Sequence, residues 1–149
     1  MPPIIRSVLS VLGAFVVVAM LVGLTTALAA QLMLGSTGPG TEPTTPFLVV
    51  NLTYSVLFAI VGGYVAATVS DHSPLGHAAA LSALLMSLGL ASWLLNGGQP
   101  APGQPDWYPW VMFLLVPPTA VLGGILVKRR TRSRTYFSKR ARELDGISS

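Results

Sequence analysis

The feature that most constrains this chain is a long stretch without basic residues, because no lysine or arginine occurs between Ser7 and Val127. The only acidic residues in that stretch are Glu42, Asp71 and Asp106. Charged residues make up 9% of the 149 residues, whereas soluble domains contain about 25%. A soluble globular domain is therefore excluded as the main fold, and most of the chain is expected to lie in lipid.

Four apolar segments are long enough to cross a hydrocarbon core, which takes about 20 residues of helix. They cover about 7–34, 47–70, 77–96 and 107–127, and connectors rich in Gly, Pro, Ser and Thr separate them. The sequence predicts an all-α integral membrane four-helix bundle with short loops over residues 1–127. A basic tail follows over residues 128–149 and is expected in the cytoplasm.

The first segment has an alternative interpretation as a signal peptide. Arg6 precedes the apolar run, and Ala27-Leu28-Ala29 is similar to a small-residue cleavage site. The apolar run from Val8 to Ala30 is longer than a usual signal core, which favours a retained first helix.

The basic residues predict the orientation of the bundle. Arg6 precedes the first span, and the other eight lie between Lys128 and Arg142. Cytoplasmic segments carry the excess of Lys and Arg, and an even number of spans places both ends on one side. Both termini are therefore expected in the cytoplasm. The aromatic residues expected in a belt at the outer boundary are Trp93, Trp107, Tyr108 and Trp110.

Small residues four positions apart predict close helix packing in three spans. The second span contains Gly62 with Ala66 and Gly63 with Ala67, and the fourth contains Thr119 with Gly123 and Ala120 with Gly124. The third span contains Ala78 with Ser82, Ala79 with Ala83, and Ser87 with Ala91. Such faces serve either internal packing, which is favoured, or an interface with another subunit.

The fourth span contains the adjacent prolines Pro117 and Pro118. They remove backbone donors, so a kink is expected, with freed carbonyls paired by Thr119 or by a neighbouring helix. A kink of this kind outlines a cavity in some proteins and is purely structural in most.

Most familiar membrane chemistries lack their residues in this sequence. No acidic or basic residue lies at mid-depth of a span, which argues against a proton-coupled transporter, a pump or a voltage sensor. The chain has no HExxH motif, no Gly-rich phosphate loop and no GxSxG elbow, and it contains no cysteine. The sequence therefore predicts a protein that is not an enzyme and that holds no metal.

Asp71, His72 and His77 form a small polar cluster at the second connector. A metal site is one interpretation, but the spacing of the histidines is not a recognised ligand pattern, so helix capping by Asp71 and Ser73 is favoured. His77 alone would suit a haem or a chlorophyll-type pigment, although a hydrogen bond across to the second span is preferred. No cofactor is therefore predicted.

A second polar set is expected near the outer ends of the helices. Its members are Gln31, Asn51, Thr53, Tyr54 and Asn96, with Asn51 and Tyr54 three residues apart on one helical face. Hydrogen bonds between helices are the favoured role. The alternative is an outward-facing pocket for a quinone head or a similar small molecule.

The basic tail is expected to lie against an anionic lipid surface. Its first basic residues are Lys128, Arg129, Arg130, Arg132 and Arg134, and each contributes about 1 kcal/mol near such a surface. Phe137, Ala141 and Leu144 share a face at helical spacing, which is compatible with a short interfacial helix. Nucleic acid is not an expected partner.

Several segments in combination resemble a family of small four-helix inner-membrane proteins of bacteria. These segments are Tyr54 to Ala67 (YSVLFAIVGGYVAA), Pro74 to Ala78 (PLGHA), Asp106 to Trp110 (DWYPW) and Leu122 to Gly124 (LGG). The family has no assigned activity. The resemblance implies four spans and a bacterial inner membrane, and it assigns no catalytic or binding residue.

Three functional hypotheses follow from these observations. The first is a non-enzymatic accessory or structural subunit that packs against other membrane proteins, or against itself, in a larger complex, for example an energy-transducing one. The second is a binder or carrier of a quinone, lipid or pigment that uses a cavity in the bundle. The third is a small membrane enzyme built on Asp71, His72 and His77, which the sequence supports least.

Overall fold

The computed structural model describes residues 3–36, 41–69 and 73–147, and over these ranges the protein is all-α. Its four helices are α1 (Pro3–Leu34), α2 (Thr45–Thr68), α3 (Pro74–Leu95) and α4 (Trp107–Ile147). The segments long and apolar enough to cross a membrane are Ser7–Leu34, Thr45–Thr68, Pro74–Leu95 and Trp107–Arg130. The predicted all-α fold, with four helices long and apolar enough to cross a membrane, is therefore confirmed.

The start of α3 differs from the prediction by three residues. The helix begins at Pro74, because the first position of a helix tolerates a proline that lacks an amide hydrogen. Ser73 is the N-cap, but its side chain makes no capping hydrogen bond, so the predicted role of its hydroxyl is wrong. The Ser73 carbonyl accepts a hydrogen bond from the His77 amide at 3.2 Å.

The last helix also differs from the prediction at its end. α4 does not end at Val127 but continues through the basic segment to Ile147. Residues 128–145 contain neither glycine nor proline, and many of them are Arg, Lys, Ala, Glu or Leu, which favour helix. The tail is thus a continuation of the fourth helix, and its predicted contact with lipid stays a prediction.

The helices pack around α2, which contacts each of the other three. α3 contacts α1, α2 and α4, whereas α1 and α4 do not contact each other within the described residues. The α2–α3 pair therefore lies between α1 and α4. A helix with three neighbours needs small side chains on several faces, and Ala59, Ala66 and Ala67 of α2 are all buried.

The contact between α2 and α4 is a contact of backbones. A methyl group on Gly63 would collide with the carbonyl group of Ala120, and a methyl group on Gly123 would lie 2.6 Å from the Tyr64 amide nitrogen. A methyl group on Gly124 would lie 2.5 Å from the Ala78 side chain of α3. Only glycine permits these approaches, which is the packing mode expected where lipid offers no hydrophobic drive between helices.

The α1–α2 and α3–α4 connectors meet at one end of the bundle, called here the connector end. Gly103 has a φ of +76°, and a side chain there would lie 2.7 Å from Pro43 of the other connector. At the end of α3, the Gly97 amide donates to Leu94 O and the Gly98 amide to Trp93 O, the pairing typical of a glycine-terminated helix. Glycine thus allows both the chain reversal and the close approach of the connectors.

Candidate functional site at the connector end

Four polar side chains from three helices form one hydrogen-bonded group at the connector end, called here the Asn51 network. The Tyr108 hydroxyl donates to Asn51 Oδ1 at 2.6 Å. Asn51 Nδ2 donates to the Tyr54 hydroxyl and, at 3.3 Å, to Thr26 Oγ1. The Thr26 and Tyr54 hydroxyls are themselves 2.7 Å apart. The network therefore joins α1, α2 and α4 through side chains.

The local sequence explains why these groups meet. Asn51 and Tyr54 are three residues apart in α2, so they lie on the same face. Tyr108 is in the first turn of α4, where its amide donates to Pro105 O at 3.1 Å. Tyr54 and Tyr108 are only 7% and 5% exposed, and polar atoms so well shielded need hydrogen-bond partners.

The predicted polar set is correct for two of its five members. Asn51 and Tyr54 do come together, but Thr53 donates to Val49 O and Asn96 donates to Ser92 O, both within their own helices. Gln31 is exposed. For these three residues the expected shared site is wrong. Thr53 and Asn96 are short polar side chains that a carbonyl one turn earlier satisfies.

Sequence reasoning missed two members of the network. Tyr108 was expected only as part of the aromatic belt, and Thr26 was not assigned a role. A usable signal for Thr26 is its position, since Thr25 and Thr26 interrupt the apolar run of the first span. To predict that Thr26 faces Asn51, one must know how α1 is rotated about its axis relative to α2. The sequence does not specify that rotation.

A cleft of about 550 Å³ lies beside the Asn51 network. α1, α2, the start of α4 and both connectors contribute to its walls. Its lining residues are Gly23, Thr26, Ala27, Ala30, Leu34, Ser36, Thr41, Pro43, Phe47, Leu48, Asn51, Pro102, Gln104 and Tyr108. The cleft has the size of small-molecule sites, which run from about 300 to 1,000 Å³.

The predicted belt residues also gather at the connector end. The ring centroids of Trp93 and Trp110 are 6.0 Å apart, and those of Trp107 and Tyr108 are 5.7 Å apart. Both pairs are tilted or edge-on, the arrangement that aromatic quadrupoles favour. Trp107 and Trp110 are exposed, as rings that anchor a helix at the membrane boundary would be.

His77 lies at the opposite end of the bundle, on an apolar groove between α1 and α3. The groove has a volume of about 460 Å³. His77 Nδ1 lies 3.0 Å from the Ser73 carbonyl, so Nδ1 is the donor there. The expected hydrogen bond from His77 to the second span is therefore wrong, since its partner is the N-cap residue of its own helix. Asp71 and His72 lie outside the described residues.

The predicted packing residues lie mostly inside the bundle. The buried ones are Gly62, Gly63, Ala66, Ala67, Ala120, Gly123 and Gly124. Thr119 is half-buried, and its hydroxyl donates to Val116 O at 2.8 Å. In this chain these faces are occupied by neighbouring helices of the same protein.

The third span divides its small residues between two faces. Ala78 is buried and Ser82 is half-buried. Four others are exposed and follow one another at intervals of four residues: Ala79, Ala83, Ser87 and Ala91. These four residues are called here the α3 stripe.

The two prolines lie inside α4, next to a hydrogen bond between helices. Ser82 Oγ of α3 donates to the Pro117 carbonyl at 2.8 Å. Prolines at 117 and 118 deprive the carbonyls of Phe113 and Leu114 of their usual amide donors. The hydrogen bonds from Ser82 and Thr119 go instead to the carbonyls of Pro117 and Val116. The predicted donors are therefore present, but they do not bond to the carbonyls that the prolines free.

The first basic residues after the apolar part of α4 lie at the end of the bundle opposite the connector end. Lys128, Arg129 and Arg130 are exposed, and Arg130 Nη1 donates to the Tyr64 hydroxyl of α2 at 3.1 Å. Arg132 and Arg134 follow within α4. Tyr64 therefore ties the first basic turn of α4 to the bundle.

Together these observations define an all-α protein with four helices suited to crossing a membrane and a polar network at one end. No family model matches the chain, and neither curated proteins nor solved structures show detectable similarity to it. Its function must therefore be inferred from its own geometry.

Proposed function

We propose that this protein is a non-enzymatic accessory subunit that packs against other membrane proteins in a larger complex of a bacterial inner membrane. The observation that supports this function is the α3 stripe. Ala79, Ala83, Ser87 and Ala91 are exposed on the surface of a helix that is suited to lie in lipid.

Small exposed residues matter in lipid because they let another helix approach closely. Dispersion contacts and close backbone approach, rather than the hydrophobic effect, drive helix association there. Residues four apart form one of the ridges along which helices pack. The Ser87 hydroxyl donates to Ala83 O at 2.8 Å, so its polar hydrogen is already paired within the helix.

The position of α3 in the bundle supports the same proposal. Only 11% of the most apolar 18-residue segment of α3 is buried inside the bundle, against 33% of the corresponding segment of α2. The predicted small packing residues of α2 and α4 are mostly buried against neighbouring helices of the same protein. α3 is thus the helix with both the small side chains and the free surface that a neighbouring subunit requires.

The proposed orientation puts both termini in the cytoplasm. In that orientation Lys128, Arg129, Arg130, Arg132 and Arg134 lie at the inner leaflet, where anionic headgroups attract them. The connector end and its aromatic residues then lie at the outer boundary. The proposed partners are lipids and other membrane protein subunits. A complex with an energy-transducing role fits a small subunit whose sequence contains no HExxH motif, Gly-rich phosphate loop or GxSxG elbow.

The test is copurification from native membranes in a mild detergent, with mass spectrometry of the eluted proteins and an absorption spectrum of the same fraction. The variant Ala83→Phe/Ser87→Phe places bulk on the α3 stripe without entering the core. Leu122→Phe is the matched control, because Leu122 of α4 is 49% exposed and lies outside the stripe.

A partner at fixed stoichiometry is expected with the parent protein and the control but not with the stripe variant. Haem or pigment absorbance in that fraction would indicate an energy-transducing complex. Purification of the parent protein as a monomer without partners would contradict the proposal, as would a partner that the stripe variant retains.

A further inference from the structure

We infer that the cleft beside the Asn51 network binds a neutral amphiphile whose head carries a carbonyl oxygen. Isoprenoid quinones and ester-linked lipids share this chemistry. The inference concerns a site separate from the α3 stripe, and it rests on the donors, the charge and the shape of the cleft.

The Asn51 network contains more hydrogen-bond donors than its own acceptors use. An asparagine amide has two hydrogens that point in different directions. Because the Thr26 and Tyr54 oxygens are 2.7 Å apart, both lie on the same side of Asn51 Nδ2, and one amide hydrogen serves both. The other amide hydrogen is left for a further acceptor.

The hydroxyl groups add a second unused donor. Thr26 and Tyr54 are joined by one hydrogen bond, which takes the hydrogen of only one of the two hydroxyls. The second hydroxyl hydrogen has no acceptor within the network. Because a phenol is a stronger hydrogen-bond donor than an aliphatic alcohol, we assign the shared hydrogen to Tyr54 and the unused one to Thr26. Thr26 and Asn51 both line the cleft, so a carbonyl oxygen placed there would accept from this pair of side chains.

The charge of the cleft excludes an ionic head. Among the described residues that line it, none is acidic or basic. An ion in such a site would lack a counter-charge, which is costly at membrane depth. A neutral carbonyl group needs only donors, and donors are what the Asn51 network has in excess.

The remaining walls suit an apolar tail. Gly23, Ala27 and Ala30 are spaced by four and three residues, so α1 turns its smallest side chains toward the cleft. Phe47 and Leu48 of α2 provide apolar surface beside them. A Cβ on Gly23 would meet no protein atom within 4 Å, which leaves this part of the cleft open.

The experiment measures binding to the full-length protein in nanodiscs of ether-linked phospholipid, a matrix without ester carbonyls. One arm adds a benzoquinone with a single isoprene unit, and its counterpart is the dimethyl ether of the same hydroquinone. The other arm adds dioleoylglycerol, and its counterpart is the dialkyl ether analogue. The readouts are the thermal unfolding midpoint and retention of the compound in native mass spectrometry.

At least one carbonyl compound is expected to bind saturably and about 10-fold tighter than its ether counterpart. The arm that binds identifies the source as quinone or ester lipid. Gly23→Leu adds bulk to the cleft at a position where a Cβ meets no protein atom within 4 Å, and it is expected to weaken binding at least 10-fold. Gly13→Leu is the matched control on the same helix, since a Cβ at Gly13 also meets nothing within 4 Å.

A third variant tests the donor itself. Thr26→Val keeps the shape of the side chain and removes the hydroxyl, and about 5-fold weaker binding is expected. The inference is overturned if neither carbonyl compound binds better than its ether counterpart. It is equally overturned if Gly23→Leu, folded as judged by its unfolding midpoint, binds as tightly as Gly13→Leu.

Discussion

Gly63 of α2 lies directly against the backbone of Ala120 in α4, so closely that no side chain fits between the two helices. The adjacent contact has the opposite arrangement, with Gly123 of α4 lying against the backbone of Ile60 and Tyr64 in α2. Each helix thus contributes one glycine that lies against the backbone of the other helix. This reciprocal pair makes α2 and α4 the most closely packed helices of the bundle.

Gly63→Ala is expected to destabilise the protein by about 2–3 kcal/mol, because the added methyl group forces α2 and α4 apart. The measurement is unfolding of the detergent-solubilised protein by sodium dodecyl sulfate. Gly13→Ala is the matched control, since a methyl group there meets nothing within 4 Å and alanine favours helix. Equal stability of the two variants would show that α2 and α4 do not pack through Gly63.

Ser82→Ala is expected to lower stability by about 0.6 kcal/mol, the typical value for a hydrogen bond between membrane helices. The substitution removes the bond from α3 to the Pro117 carbonyl of α4. Ser87→Ala is the control, because the Ser87 hydroxyl bonds at the same 2.8 Å to a carbonyl of its own helix. A larger loss for Ser87→Ala than for Ser82→Ala, measured by the same unfolding assay, would contradict the assignment.

Ser55→Ala is expected to raise stability by about 1 kcal/mol. The Ser55 hydroxyl is buried without a hydrogen-bond partner, and removing such a group relieves its desolvation cost. Ser10 is also buried, but its hydroxyl donates to Ser7 O at 2.8 Å, so Ser10→Ala is expected to leave stability unchanged or lower it. A loss of stability in Ser55→Ala would indicate that the hydroxyl has a partner in the membrane.

The orientation is testable by labelling, because the chain has no cysteine of its own. Gln99→Cys introduces a thiol at the connector end, and Arg140→Cys introduces one in the basic part of α4. Both positions are exposed. In bacterial spheroplasts a membrane-impermeant maleimide is expected to label Gln99→Cys only, with Arg140→Cys labelled after lysis. The reverse pattern would place the termini outside.

The sequence predicted the membrane helices well because the bilayer imposes one length and one polarity on each of them. Proline and glycine marked the connectors, so the helix ends differ from the predictions by only a few residues, apart from α4. There the change from apolar to basic residues after Val127 predicts the end of the helical domain. A change of solvent does not interrupt backbone hydrogen bonds, and the helix continues to Ile147.

The side-chain pairings were predicted less well. Thr53 and Asn51 are two residues apart in α2, yet Thr53 bonds within its own helix and Asn51 joins three helices. Ala78 and Ala79 are neighbours, yet Ala78 is buried and Ala79 is exposed. One step along a helix turns a side chain by about 100°, and nothing within a single helix indicates which direction faces a neighbour.

The sequence by itself therefore determined the fold class, the number of spans and the stock of small and polar residues available for packing. Those properties depend on composition along the chain, because the length and polarity of each segment decide whether it suits the bilayer. Only the tertiary structure decided that Thr26 and Tyr108 meet Asn51, that a cleft lies beside them and that the α3 stripe faces outward. These features depend on the rotation of each helix against the others, which close contacts such as that of Gly63 with Ala120 establish.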